Sequence, residues 1–345
     1  MKRLTLFVLL ISFVTVALLA ADTRVITEYD GTKVAIPVYP KRIACVHAPA
    51  YDKVLMLSQA SRIGIIPRAV SPWVMKFYPE LKKIETGASH MSLDPERLLR
   101  LKIDLVIYPK GRTNSEHAAQ SKIAMVCSFN STANPSSLAE HIVDFQNQVK
   151  FFADILGGDA ESKAKRYIKY QNDIISRVKA ITANIKQSEK PTVYYGQATN
   201  IYATQGRNSV MQWYTELAGG RYLASQHHFF SKVSREQVLG WNPDIILIGM
   251  HGVSFSGESK LTSLDDFRAQ KTGRVYNVPQ GVFFWEMAGC ETVLLPIHLG
   301  KIFHPELFAN WDLVKEMKKF YADIYGIKIS DRDAERILNA QPPES

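Results

Sequence analysis

The residues with chemistry to offer are two arginines and a scatter of histidines, each close behind or before an apolar run. Gly111-Arg112 follows Leu105 to Tyr108, and Gly206-Arg207 follows Ile201 to Ala203. A guanidinium stays charged and presents a fork of donors to anionic oxygens, so Arg112 and Arg207 after corresponding runs point to an anionic ligand. His47 ends the run that starts at Arg42, His90 precedes a short helical pattern, His227-His228 lies just before Ser234, and His251 directly follows Ile245 to Ile248. Imidazole suits nickel, cobalt, zinc or copper, whereas a hard ferric ion prefers oxygen. His227, His228 and His251 are therefore candidate metal ligands, with His47 and His90 as further ligand contacts. Gly281-Val-Phe283-Phe284-Trp285-Glu286 supplies aromatic surface for a planar ligand, and Trp285 beside Glu286 is the ring expected to face it.

No catalytic motif competes with this. Gly252-Val-Ser-Phe-Ser256-Gly257 lacks the Gly-x-Ser-x-Gly spacing, and the sequence has no His-Glu-x-x-His, phosphate loop or Gly-x-Gly-x-x-Gly after a strand. A hydrolase whose residues are dispersed along the chain stays a remote alternative.

The elements that must position these residues carry an internal echo. Ser92-Leu-Asp-Pro-Glu96-Arg-Leu-Leu-Arg-Leu-Lys-Ile-Asp104-Leu-Val-Ile107 has a counterpart in Ser234-Arg-Glu236-Gln-Val-Leu-Gly-Trp-Asn-Pro-Asp244-Ile-Ile-Leu247. In each copy a glutamate opens a short helix, an aspartate follows eight residues later, and an aliphatic run then reads as a buried parallel strand. Two α/β lobes presenting the same acidic helix start offer matched surfaces to a two-fold symmetric partner.

Around that echo the chain alternates strand and helix patterns, which argues for parallel βαβ units. Arg42 to His47, Ile63 to Ile66, Leu105 to Tyr108 and Ile123 to Cys127 read as strands of an N-terminal lobe over 22–157, closed by an amphipathic helix from Leu138 to Leu156 and its Gly157-Gly158 stop. A long helical periodicity over 158–188 links it to a C-terminal lobe over 189–345. That lobe's strands are expected at Val193 to Tyr195, Ile201 to Ala203, Ile245 to Ile248 and Val275 to Val278, with closing helices after them. The fold class is α/β: two Rossmann-like lobes, each a mostly parallel sheet with flanking helices, joined by one long backbone helix.

Residues 1–21 combine basic Lys2 and Arg3, an apolar stretch from Leu4 to Leu19 and Ala20-Ala21, the pattern of a cleaved signal peptide. The first cysteine is Cys45, so a freely diffusing periplasmic protein is expected rather than a lipoprotein. Removing Lys2 and Arg3 takes the formal charge from +9 to +7. The basic residues are dispersed along helices without interleaved stacking motifs, which argues against nucleic acid. Three cysteines leave at least one unpaired within a monomer; Cys45 and Cys127, both near strand ends, could pair or be buried thiols.

With its leader, two lobes, single connecting helix and paired glutamate segments, the chain resembles the periplasmic binding proteins for ferric siderophores and vitamin B12. The resemblance covers essentially the whole mature chain and is most specific at Leu98 to Ile107, Glu236 to Ile248 and Phe320-Tyr-Ala-Asp-Ile-Tyr325-Gly. It implies a monomer with no permanent cofactor, small lobe movements, a metal chelate as cargo, and delivery to the permease dimer of an inner-membrane ABC importer. Glu96 and Glu236 are then the docking residues. Arginines at positions similar to Arg112 and Arg207 bind catecholates in such relatives. The chain departs from the pattern where some relatives place an iron-binding tyrosine, after Val275-Tyr-Asn-Val-Pro279, and where a third arginine would follow Ile248. Either the chelator satisfies ferric iron alone, or the histidines serve a nickel or cobalt chelate; vitamin B12 or haem ranks third.

Overall fold

A computed structural model describes residues 22–88, 94–109, 123–129, 133–251 and 264–344. Residues 1–21, expected as a signal peptide, lie outside the described residues, as do His90, Arg112 and the Gly252 to Gly257 segment. A hairpin of β1 (Thr23–Thr27) and β2 (Lys33–Pro37), for which the sequence offered no expectation, precedes the first lobe.

The N-terminal lobe is a parallel sheet of β3 (Ile43–Cys45), β4 (Ile63–Pro67), β5 (Glu85–Ala88), β6 (Leu105–Tyr108) and β7 (Ala124–Cys127) in the order β5-β4-β3-β6-β7. The C-terminal lobe is a parallel sheet of β8 (Thr192–Gln197), β10 (Arg221–Tyr222), β12 (Ile245–Gly249) and β13 (Val275–Asn277) in the order β10-β8-β12-β13, with β9 (Ala203–Gln205) and β11 (Phe230–Lys232) paired antiparallel beside it. The central strands β6 and β12 are apolar on both faces because helices cover both sides of each sheet. Cys45 on β3 and Cys127 on β7 carry thiols rather than a disulfide: β6 runs between their strands, and two strand spacings, about 9.5 Å, exceed the reach of a disulfide.

The sequence echo has a structural cause. Asp104 precedes β6 and accepts the backbone N–H groups of Lys41 (2.6 Å) and Arg42 (3.0 Å), just ahead of β3. Asp244 precedes β12 and accepts the N–H (2.9 Å) and hydroxyl (2.8 Å) of Thr192, the first residue of β8. In both lobes one carboxylate thus clamps the entry of the neighbouring strand, and the preceding helix, Pro95–Arg100 or Arg235–Trp241, starts with an exposed glutamate over a side-chain cap from Asp94 or Ser234.

The helix Leu138–Leu156 ends at Gly157 (φ +64°) and Gly158 (φ +63°), left-handed positions that favour glycine, and the chain then enters the helix Ala160–Thr182. At 23 residues this helix is about 34 Å long. It stops short of the expected 188, where Thr182 bonds back to the Val178 carbonyl (3.1 Å), and a short 3-10 turn, Gln187–Glu189, leads into β8. Its inward residues Ala164, Tyr167, Gln171, Ile175 and Val178 recur every three or four positions, with Ile174 buried beside Ile175.

The lobes share more than this helix. One apolar cluster includes Tyr51 and Trp73 from the first lobe and Trp285, Cys290 and Tyr321 from the second. Fully buried Asp52, on the helix Ala48–Met56, accepts the Cys290 N–H (2.8 Å) and the Tyr325 hydroxyl (3.0 Å). The closing segment returns to the first lobe, where Trp73 Nε1 donates to the Gln341 carbonyl (3.1 Å) and Lys76 pairs with Asp333 (2.6 Å) in the first turn of the helix Asp331–Leu338.

Candidate functional site

In a βαβ lobe the loops that can carry ligand contacts leave the carboxyl ends of the strands. Here those loops and the helices behind them enclose a cavity of about 440 Å³ with walls from both lobes. The first lobe contributes Lys53, Phe129, His141, Asp144, Phe145 and Gln148. The second contributes Asn208, Val210, Trp213, Phe229, Met287 and Ala288.

His141, Asp144, Phe145 and Gln148 follow helical spacing on Leu138–Leu156, so one face of that helix forms a wall. The His141 ring stacks on Trp213 of the facing helix Val210–Leu217 (centroids 4.8 Å, planes 29° apart), which brings the lobes into contact at the cavity. Burial pushes the His141 imidazole down to about 4, so it is neutral at pH 7. Asp144 is held by Gln148 Nε2 (2.8 Å).

Lys53 is the unexpected member. It is 1% exposed, yet its ammonium lies over the Phe145 ring (5.0 Å to the centroid) and near that of Phe152 (5.6 Å), and no carboxylate among the described residues pairs with it. Adjacent Asp52 turns to Cys290 and Tyr325 instead. Burial raises the Asp52 pKa, and the nearby Lys53 charge opposes that rise. The rings and the packed methylene stem offset part of the cost of burying the ammonium.

The expected residues are distributed around this cavity. Half-buried His47, beyond the end of β3, has Nε2 against the Ser128 hydroxyl and its ring edge-on to Phe129 (6.4 Å), a wall residue. Arg207 is exposed at the opposite rim, next to the wall residue Asn208, and its N–H donates to the His227 carbonyl (2.8 Å). Gly206 N–H donates to the Phe229 carbonyl (2.8 Å), and a Cβ at Gly206 would collide with the carbonyls of His227 and His228, which explains the glycine before Arg207. The structure therefore brings Arg207 and the His227-His228 turn together and sets Phe229 in the wall.

The three proposed metal ligands do not converge. The His227 ring lies edge-on to Trp241 (5.5 Å) with Nε2 3.1 Å from Gln237 Nε2, His228 is exposed, and half-buried His251 is edge-on to Phe284 (5.8 Å) at the end of β12. Among the described residues no group of three or more His, Cys, Asp or Glu side chains is placed to hold a metal ion.

Trp285 is corrected as well: it is 0% exposed and faces the core, edge-on to His298 (6.4 Å), rather than the cleft. A bridge between Gln280 and Phe284 closes the loop, and Glu291 holds the Phe283 N–H (2.9 Å), folding the aromatic run inward. Glu286 is buried behind His251, whose N–H it accepts (2.9 Å), and burial pushes its carboxyl up to about 7. Sequence reasoning missed Lys53, His141 and Trp213. The one available signal was Asp52-Lys53, a charged pair inside the otherwise apolar helix Ala48–Met56.

Residues 43–280 match the family model described as periplasmic binding protein. A vitamin B12-binding protein of Vibrio parahaemolyticus is 20% identical over 229 residues, 64% of this chain and 79% of that protein. A periplasmic solute binding protein from Veillonella parvula superposes with a TM-score of 0.74 at 24% identity, covering 92% of this chain and 97% of its own. The molybdate-bound periplasmic binding protein of Haemophilus influenzae superposes with a TM-score of 0.74 at 20% identity, covering 89% and 99% respectively. At these identities the structural likeness establishes the fold.

Proposed function

Because the chain belongs to the periplasmic binding protein family, we propose that it captures a small anionic metal chelate of the ferric-siderophore type between its lobes and delivers it to the permease of an inner-membrane ABC importer. The observation that carries this reading is the inter-lobe cavity, with aromatic walls from both lobes, a buried unpaired ammonium at Lys53 and Arg207 at the rim. Such a lining suits a ligand with flat apolar surface and an anionic group. The separation of His227, His228 and His251 favours a chelator that saturates its metal over coordination of nickel or cobalt by imidazoles. Glu96 and Glu236, exposed at equivalent helix starts, are the proposed contacts to the two permease subunits. Binding proceeds without turnover.

Titration calorimetry of the purified protein against a ferric catecholate, a ferric hydroxamate, cyanocobalamin and nickel-histidine tests the reading. One-to-one, submicromolar binding of a ferric chelate is the expected result. Binding of cyanocobalamin or nickel-histidine alone would overturn the ligand class, and chemical conversion of a bound ligand would overturn the transport role.

A further inference from the structure

The lysine inside the cavity is only partly accounted for by its surroundings: its charge favours the buried Asp52 carboxylate and its ammonium lies over two rings, but no hydrogen-bond acceptor among the described residues takes its protons. A surface lysine would be solvated and a core lysine would carry a carboxylate partner, but Lys53 is 1% exposed and pairs with no carboxylate among the described residues. Methionine would fill the same slot over Phe145 and Phe152 without burying a charge. The His141 ring, 9% exposed and stacked on Trp213, also lines the cavity and has no side-chain hydrogen bond among the described residues. Both are nitrogen donors on one wall, Lys53 from the helix Ala48–Met56 and His141 from Leu138–Leu156, and the cavity is where their hydrogen bonds remain to be made.

We propose that Lys53 and His141 form an oxyanion subsite in the wall of the cavity, which receives a compact oxyanion, free or as the anionic group of a chelator. The Lys53 ammonium supplies the charge and the neutral His141 ring a single N–H. Trp213 and Phe145 line the cavity beside them, and apolar rings around a charge-assisted bond strengthen it. Asp144, tied to Gln148 in the same lining, disfavours a ligand that is anionic over its whole surface and selects one with a localised anionic end. The chelator form of this assignment rests on the proposed function above; the free-oxyanion form does not.

The test uses the full mature protein, its Lys53→Met and Lys53→Arg variants and His141→Phe. Tryptophan fluorescence, to which Trp213 in the cavity wall contributes, and melting temperature are followed during titration with sodium molybdate and inorganic phosphate at constant ionic strength, and separately with a ferric catecholate. Methionine keeps the stem's packing, so circular dichroism of the empty Lys53→Met protein should match the wild type. Loss of a charge-assisted hydrogen bond corresponds to a weakening of about tenfold or more in Lys53→Met; Lys53→Arg should recover part of it and His141→Phe should lose less. If the wild type responds to an oxyanion through Lys53 but to no ferric chelate, the subsite stands and the proposed function falls. If a ferric chelate binds equally to wild type and Lys53→Met, and neither molybdate nor phosphate binding depends on Lys53, the function stands and the subsite is overturned. No wild-type response to any of these probes overturns the subsite as well.

Discussion

Asp52→Ala should weaken the whole protein rather than one lobe. Asp52 sits on a first-lobe helix, and both of its partners, the Cys290 N–H and the Tyr325 hydroxyl, belong to the second lobe. Alanine leaves two buried donors without an acceptor, at roughly 1–3 kcal/mol each. Burial already raises the Asp52 pKa, so removing the carboxylate returns part of its desolvation cost, and the net loss should be about 2–4 kcal/mol. Asp52→Asn keeps an acceptor for Cys290 and should lose about half as much. Urea unfolding monitored by tryptophan fluorescence and far-UV circular dichroism reads both lobes, since Trp73 lies in the first and Trp213, Trp241, Trp285 and Trp311 in the second. The wild type and both variants should unfold in single coincident transitions. A loss below about 0.5 kcal/mol in Asp52→Ala, or separate transitions for the two lobes in the wild type, would refute the view that one shared core binds the lobes.

Other consequences follow from the same geometry. Burial raises Glu286 to about 7 and Glu291 to about 8, so the stability they contribute is complete below the ordinary carboxylate range and is lost as pH rises through those values. His141 and His298, lowered to about 4, contribute stability above the ordinary imidazole range that is lost as pH falls through 4. The melting temperature should therefore decline between pH 6.5 and 8, and the paired substitutions Glu286→Gln and Glu291→Gln should flatten that decline; an unchanged slope in the double variant would contradict it. Glu96→Lys with Glu236→Lys should abolish uptake in cells while ligand affinity stays within a few fold, and undiminished uptake would remove both residues from docking. Small-angle scattering profiles with and without saturating ferric chelate should nearly superimpose, because closure would have to strain an unbroken 23-residue helix and the Asp52, Trp73 and Lys76 contacts together.

The fold was legible because its signals are local. Apolar runs at β6, β8 and β12, the glycine stop at Gly157-Gly158 and the repeated Glu-to-Asp spacing each carry their own physical cause, the last now traced to the strand clamps of Asp104 and Asp244. The hairpin β1–β2 was missed because a short, half-exposed pair has little periodicity to read. The site was harder. Trp285 looked exposed beside a charged neighbour, but Glu286 is itself buried, so the pair turned inward together. Lys53 and His141 meet Trp213 only through tertiary packing, and no spacing along the chain announces that meeting. The His227-His228 turn does lie beside Arg207, but the bond it makes there is from the Arg207 N–H to the His227 backbone carbonyl, and the His227 imidazole turns to Trp241 and Gln237.

Native mass spectrometry of the protein released from its own periplasm tests the central claim most directly, since whatever the cavity holds is weighed without prior choice of ligand. The expected result is a single adduct whose mass and isotope pattern match a metal chelate, bound one-to-one and lost or sharply reduced in Lys53→Met. An adduct matching a cobalamin, or a bare metal ion stripped by a chelating buffer, would contradict capture of an anionic metal chelate between the lobes.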